Sequence, residues 1–253
     1  MEFRMLGPVH LLADGREDTL SGTKQRTMFA TLVLAAGQGV SDEHLGRMLW
    51  DERPPGTAPA QLHTYASRLR RRVGPDVQLV RIRSGYRLLA EHVPCDLTRF
   101  TDLSGGGFRA LREQRFEAAT DLLRAALECW NGEALADVTD HLAAAERPRL
   151  EEARLAALEA RIEADLITGR HRRLISELTG LVARHPMRER FRALLMTALS
   201  RSERQAEAMS LYLDGRRLLA DELGVEPGRL LVRTYQEILS GEARAVMPHR
   251  PAH

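Results

Sequence analysis

The chain is poor in lysine, cysteine and aromatic residues, and it contains no apolar run long enough to cross a bilayer. Each scarcity excludes something. Only Lys24 among 37 basic residues is lysine, so no polylysine tail exists. The two cysteines, Cys95 and Cys129, are far apart and form no CxxC pair. A disulfide scaffold and a structural zinc site are therefore excluded, and a reduced compartment is expected. The start, Met1-Glu2-Phe3-Arg4, lacks the basic and apolar regions of a signal peptide. With 37 basic and 35 acidic side chains the formal net charge is +2, which rules out a histone-like coat, while a hydrophobic fraction of 43% rules out a mostly disordered chain. There is no HExxH, no GxSxG, no Walker lysine and no Cys/His metal spacing, and the nine histidines are scattered. No enzyme, cofactor or metal is expected.

What remains divides into two grammars. In residues 1–94, strand and helix patterns mix. Phe3, Met5, Val9 and Leu11 read as two short strands around Gly7-Pro8, and Asp14-Gly15 signals another turn. Residues 23–36 carry a helical apolar pattern. A second helix runs over residues 41–50, with Ser41 as N-cap and Asp42 and Glu43 in its first turn. Arg53-Pro54-Pro55-Gly56 breaks it. A third helix covers residues 58–73, and residues 77–80 and 86–89 form a hairpin around Arg83-Ser84-Gly85.

From residue 95 the patterns are helical, over residues 113–130, 147–169, 172–184, 187–200 and 203–223. Leu155, Leu158, Ile162 and Leu166 make a core stripe. A faint repeat at an offset of 34 residues aligns residues 166–171 with 200–205, which is the tetratricopeptide spacing and implies stacked helices that bind partners. Residues 241–253, with Pro248 and Pro251, read as a disordered tail.

The arginines are not evenly spread. Residues 60–94 hold 7 basic and 2 acidic side chains, a net of +5, whereas residues 95–253 hold 24 basic and 25 acidic. On the third helix, Leu62, Ala66, Leu69 and Val73 fall on one side with Tyr65 at its edge. Thr64, Ser67, Arg68 and Arg71 project opposite, flanked by His63, Arg70 and Arg72. One face buries and the other presents guanidinium forks and hydroxyls, as suits a helix lying in the DNA major groove. The hairpin adds Arg81, Arg83 and Arg87, and an arginine at such a tip fits the narrow minor groove. Three helices followed by a basic hairpin describe a winged helix-turn-helix.

Four stretches then carry a resemblance: Thr23-Lys24-Gln25-Arg26, Met48-Leu49-Trp50-Asp51-Glu52-Arg53-Pro54-Pro55, Tyr65-Ala66-Ser67-Arg68-Leu69-Arg70 and Ser84-Gly85-Tyr86-Arg87-Leu88. They resemble the OmpR-like winged-helix domain of the SARP family, the Streptomyces antibiotic regulatory proteins. Ala134-Leu135-Ala136-Asp137, the run from Arg149 to Glu159, His185-Pro186-Met187-Arg188-Glu189-Arg190 and the run from Leu218 to Gly228 are similar to that family's bacterial transcriptional activation domain. The resemblance covers about residues 1–240. It implies a mainly α protein with a small β component: a winged-helix DNA-binding domain (residues 1–94), a tetratricopeptide-like activation domain (95–240) and a tail (241–253). It implies a cytoplasmic, nucleoid-associated activator of a secondary-metabolite gene cluster, of the small stand-alone class and with no membrane partner. Such an activator binds direct repeats near the promoter core, as side-by-side protomers or a dimer, and recruits RNA polymerase holoenzyme through sigma factor and core subunits.

The resemblance also implies roles for single residues. Thr64 and Arg68 match base-reading positions of the recognition helix. Gln61, Tyr65, Ser67 and Arg70 match positions that hold phosphates or base edges, while the helical periodicity favours His63 and Arg71 over Tyr65. Trp50 matches a tryptophan whose indole N–H reaches a phosphate, or is a core aromatic. Lys24 and Arg26 match basic residues near the DNA backbone. The turn Asp51, Glu52, Arg53, Pro54, Pro55 and Gly56 matches one that faces polymerase. Three departures stand out. Ile82, between Arg81 and Arg83, occupies a position that is often arginine, which leaves open which arginine enters the minor groove. Ser104-Gly105-Gly106-Gly107 is expected to break or delay the first activation-domain helix, since glycine costs about 1 kcal/mol per helical position. Glu203 sits where a turn glycine is common. A winged-helix repressor and a tetratricopeptide scaffold without DNA binding are the alternatives.

Overall fold

The computed structural model describes residues 1–13, 16–18 (backbone only) and 20–241 of the 253. The Asp14-Gly15 turn and, from residue 242 on, the expected tail lie outside the described residues. In chain order the elements are β1 (Glu2–Arg4), β2 (His10–Ala13), β3 (Arg16–Asp18), α1 (Thr23–Leu34), β4 (Val40–Ser41), α2 (Asp42–Trp50), α3 (Ala58–Arg72), β5 (Gln78–Ile82), β6 (Gly85–Leu89), α4 (Asp96–Arg112), α5 (Phe116–Leu127), α6 (Asp140–Ile167), α7 (His171–Arg184), α8 (Glu189–Arg201), α9 (Gln205–Leu223) and α10 (Arg229–Leu239). The protein is mainly helical with a small β component.

The described residues form two compact units, one within residues 1–102 and 125–154, the other within residues 103–124 and 155–241. In the first, β1, β2 and β3 make an antiparallel sheet with Phe3 opposite Leu11. A second sheet has the order β4-β6-β5, with Val40 opposite Tyr86 and Leu79 opposite Leu88. Helices α1, α2 and α3 pack on one another. The core includes Phe3, Leu11, Phe29, Leu45, Leu62, Ala66, Leu69 and Tyr86. Phe3 and Phe29 meet edge to face at 5.0 Å, a favoured arrangement of ring quadrupoles.

The change of grammar near residue 94 is not where this unit stops. Residues 131–139 are laced to its start: Asn131 N–H donates to the Leu6 carbonyl (2.7 Å), Leu135 N–H to Met5 (3.1 Å) and Ala136 N–H to Gly7 (3.2 Å). Gly7 is required there, because a Cβ would sit 2.7 Å from the Asn131 carbonyl oxygen. Thr139 donates its N–H to Thr27 Oγ1 (2.9 Å) and its hydroxyl to the Met48 carbonyl (2.6 Å). Asp96 accepts the N–H groups of Met5 and Leu6 at 2.8–3.0 Å. Its burial outweighs these bonds and pushes its pKa above the ordinary carboxylate value.

In the second unit α8 packs against α7, α9 and α10, around Ile162, Leu166, Leu178, Phe191, Met196, Leu231 and Ile238. The expected stripe is there: Ile162 and Leu166 are fully buried, and Leu155 and Leu158 pack partly buried against them. Three buried carboxylates are paired. Glu159 holds Arg188, Glu163 holds Arg190, and Asp165 meets Arg170 at 2.7 Å and Arg161 at 3.2 Å. The 34-residue offset reappears in the backbone. Gly169 (φ 83°) and Glu203 (φ 65°) both turn left-handed. Arg170 N–H donates to Asp165 and Arg204 N–H to Leu199, each reaching five residues back. Arg115 N–H does the same to Ala110, after Gln114 at φ 58°.

Several expected boundaries move. Helix α4 runs unbroken through Gly105, Gly106 and Gly107, against the expected break. A Cβ on Gly107 would lie 2.5 Å from Leu123 Cγ, so glycine admits α5, and the packing offsets the poor propensity. The helix expected over 113–130 is α5 alone, because Gln114 turns left-handed before it. Helix α6 begins at Asp140, with Pro148 inside it. Pro148 costs a ladder bond, and Leu142, Ala143 and Leu150 are buried on either side of it. Helix α10 went unanticipated; it buries Leu231, Thr234 and Ile238, and Tyr235 stacks on Tyr212 at 4.0 Å.

Candidate nucleic-acid interface

Helix α3 forms because its apolar residues recur every three to four positions and Pro59 sits in its first turn, where no N–H is needed. Leu62, Ala66 and Leu69 are at most 2% exposed. His63, Thr64, Arg68, Arg70 and Arg71 are exposed, and Ser67, Tyr65 and Gln61 are half-buried at the edges. Gln61 donates to Thr57 Oγ1 (2.9 Å) and accepts from the Tyr65 hydroxyl (3.3 Å). The Thr64 hydroxyl donates to the Ala60 carbonyl (2.9 Å), which keeps its lone pairs open. Arg70 gives its Nε–H to the Leu79 carbonyl (2.8 Å), fixing α3 to β5. Arg68 and Arg71 have no ion pair or hydrogen bond among the described residues. They are guanidinium forks with every donor available.

Trp50 and Tyr65 stack with centroids 6.5 Å apart, and Lys24 Nζ lies 5.1 Å above the Trp50 ring. The structure thus gathers Lys24, Trp50, Tyr65 and Gln61, which the sequence could only name separately. Trp50 is half-buried, an amphipathic ring with an apolar body and a polar N–H.

Arg26 belongs elsewhere. Its Nε–H donates to the Asp137 carbonyl (2.9 Å), Nη1 to Leu20 (2.9 Å) and Nη2 to Thr23 Oγ1 (3.3 Å), and Nε lies 3.0 Å from Asp137 Oδ2. The guanidinium expected beside a phosphate gives three of its five N–H groups to the fold. Its partner is 111 residues away, out of reach of any local pattern.

The hairpin β5–β6 carries Arg83-Ser84 as its two-residue turn, with Ile82 opposite Gly85. Arg81 makes a two-pronged ion pair with Asp42, 2.6 Å on each prong, and lies 4.7 Å over the Tyr86 ring. The bond to Asp42 raises its pKa further. Arg83 and Arg87 are exposed and without ion pairs among the described residues.

The turn after α2 starts at Asp51, held at φ 59°, a region glycine favours. Asp51 Oδ1 lies 3.0 Å from His141 Nδ1. Glu52, Arg53, Pro54 and Gly56 are exposed and Pro55 is half-buried. A groove of about 530 Å³ between α2, this turn and α3 is lined by Gly46, Pro54, Pro55, Ala58, Pro59 and Leu62, with Asp42, Glu43, Arg47, Asp51 and Glu52. No helix among the described residues is long and apolar enough to cross a membrane.

Residues 95–239 match the family model described as the bacterial transcriptional activator domain. The chain is 46% identical over 244 residues to the regulatory protein AfsR of Streptomyces coelicolor, covering 96% of this chain and 24% of that protein. It is 37% identical over 253 residues to the regulatory protein DnrI of Streptomyces peucetius, covering 96% of this chain and 93% of DnrI. The solved structure of Mycobacterium tuberculosis EmbR in complex with a low-affinity phosphopeptide superposes with a TM-score of 0.90 at 35% identity, over 95% of this chain and 65% of that one. The chain spans about a quarter of the length of AfsR.

Proposed function

Because the chain belongs to the SARP family of bacterial transcriptional regulators, we propose that it is a sequence-specific DNA-binding activator of a secondary-metabolite gene cluster. The carrying observation is α3, which buries Leu62, Ala66 and Leu69 and leaves Arg68 and Arg71 exposed without ion pairs among the described residues. In this reading α1, α2 and α3 with the β5–β6 hairpin work as a winged helix-turn-helix, and α3 lies in the major groove. Thr64 and Arg68 read base edges, an arginine fork matching guanine O6 and N7. Gln61, His63, Ser67, Arg70 and Arg71 hold phosphates or neighbouring edges, and Lys24, Trp50 and Tyr65 brace the DNA backbone beside them.

Residues 95–240 act as the activation module, built of tetratricopeptide-like helix pairs. The turn 51–56 faces RNA polymerase holoenzyme and its sigma factor, and protomers bind side by side on direct repeats in the cytoplasm. A repressor would use the same DNA surface; the match to an activator domain favours activation. The binding reading is tested by selecting duplexes from a random pool with the protein and titrating the winner with salt. Phosphate neutralisation releases counterions, so affinity falls steeply from 50 to 200 mM. A flat response excludes DNA as the ligand.

A further inference from the structure

Of the hairpin's three arginines, Arg81 and Arg83 lie on either side of Ile82 next to the turn, and the structure treats them differently. Ile82 Cδ1 fills the space beside Gly39, where a Cβ would approach it to 2.6 Å. Ile82 therefore packs inward against Gly39. Arg81 gives both ends of its fork to Asp42 at 2.6 Å, and Asp42 also donates its backbone N–H to the Ser84 carbonyl at the hairpin turn (2.8 Å). One residue, the first of α2, thus grips both the strand and the tip. The grip is reinforced by β4, which approaches so closely that a Cβ on Gly85 would lie 1.9 Å from the Val40 carbonyl oxygen. Arg83, at the turn, is exposed and has no ion pair or hydrogen bond among the described residues.

We propose that Asp42 is a positioning residue for the wing: it holds Arg81 back as a neutral pair and leaves Arg83 as the arginine that enters the minor groove. This rests on the DNA-binding reading above. An Arg81–Asp42 pair adds no net charge facing the DNA, so it releases no counterion, whereas Arg83 releases about one. A bare Asp42 would repel phosphate, so Arg81 also shields the DNA from it.

The experiment uses the full chain and a duplex selected from a random pool by the wild-type protein. Affinity is measured against salt, hydroxyl-radical footprints report minor-groove cover, and thermal melts confirm folding. Arg83→Ala is expected to reduce the slope of log affinity against log salt by about 0.9, so that its loss between 50 and 200 mM is about threefold smaller than wild type. Its footprint should also lose the minor-groove protection of the wing. The double variant Asp42→Ala/Arg81→Ala, which removes a neutral pair, should keep the wild-type slope. Asp42→Ala alone frees Arg81 and should steepen the slope and shift the wing footprint, with Asp42→Asn as the gentler replacement. A merely structural Asp42 would move stability and leave slope and footprint in place. A double variant that loses as much slope as Arg83→Ala overturns the proposal, as does an Asp42 variant with unchanged slope and footprint. Wild-type protein that binds no duplex overturns the DNA reading and this proposal with it.

Discussion

Replacing Arg26 by alanine separates a fold residue from a DNA residue. Each of its three nitrogens donates once, to the Asp137 and Leu20 carbonyls and Thr23 Oγ1, with Asp137 Oδ2 3.0 Å from Nε. Hydrogen bonds from a charged donor contribute about 1.5–3 kcal/mol when buried and nearer 1 kcal/mol when solvent competes. The Arg26 side chain is 19% exposed and that of Asp137 is 33% exposed, so the ion pair itself adds only about 0.5 kcal/mol. The expected loss is about 2–3 kcal/mol, which lowers a urea midpoint by about 1–1.5 M at an m-value near 2 kcal/mol/M. Trp50 and Trp130 are the two tryptophans, and both lie in the first compact unit. Their fluorescence therefore follows that unit in a urea titration. The slope of DNA affinity against salt, measured well below the midpoint, should stay within about 0.3 of wild type, since no phosphate contact is lost. Unchanged stability together with a slope reduced by about 0.9 would refute the assignment and return Arg26 to the DNA backbone.

The glycines of α4 make a matched pair. Gly105→Ala, with nothing within 4 Å of the new Cβ, should stabilise by about 0.5–1 kcal/mol, whereas Gly107→Ala meets Leu123 and should destabilise by about 1–2 kcal/mol; thermal melts followed by circular dichroism check both signs. Glu203→Gly relieves a left-handed residue at φ 65° and should stabilise by about 1 kcal/mol, and a lower melting temperature would contradict this. Because burial raises the Asp96 pKa above its ordinary value of 3.8, its native state favours the proton. The stability this gives is present below that value and lost as pH climbs through the folded one. The stability of wild type relative to Asp96→Asn should therefore decline from pH 4 to 7, and a rising difference would mean that the folded state favours the charged carboxylate. Arg68→Ala should lose about 1–3 kcal/mol of discrimination between selected and scrambled duplexes; equal weakening on every sequence would limit Arg68 to phosphate.

Much of the candidate interface is written in short-range pattern. Leu62, Ala66 and Leu69 recur at helical spacing, so their burial and the exposure of Thr64, Arg68 and Arg71 follow from one helix's geometry. The β5–β6 hairpin is likewise announced by Ser84-Gly85 between apolar runs. What stayed hidden is long-range. Arg26 and Arg81 read as free cations until Asp137 and Asp42 are found beside them, 111 and 39 residues away. The Gly105-Gly106-Gly107 run reads as a break by propensity, and only the approach of Leu123 to Gly107 explains the continuous helix. Lys24, Trp50 and Tyr65 come from three helices, and no local spacing predicts that their side chains cluster.

Activation of transcription is tested most directly by reconstituted run-off transcription. RNA polymerase holoenzyme is assayed on a weak promoter preceded by the selected repeats, with and without the protein, at a salt concentration where binding is saturated. An activator gives more transcript on adding protein, and the gain is lost when the repeats are scrambled. Less transcript on the intact template would contradict activation and mark the same DNA-binding surface as a repressor's.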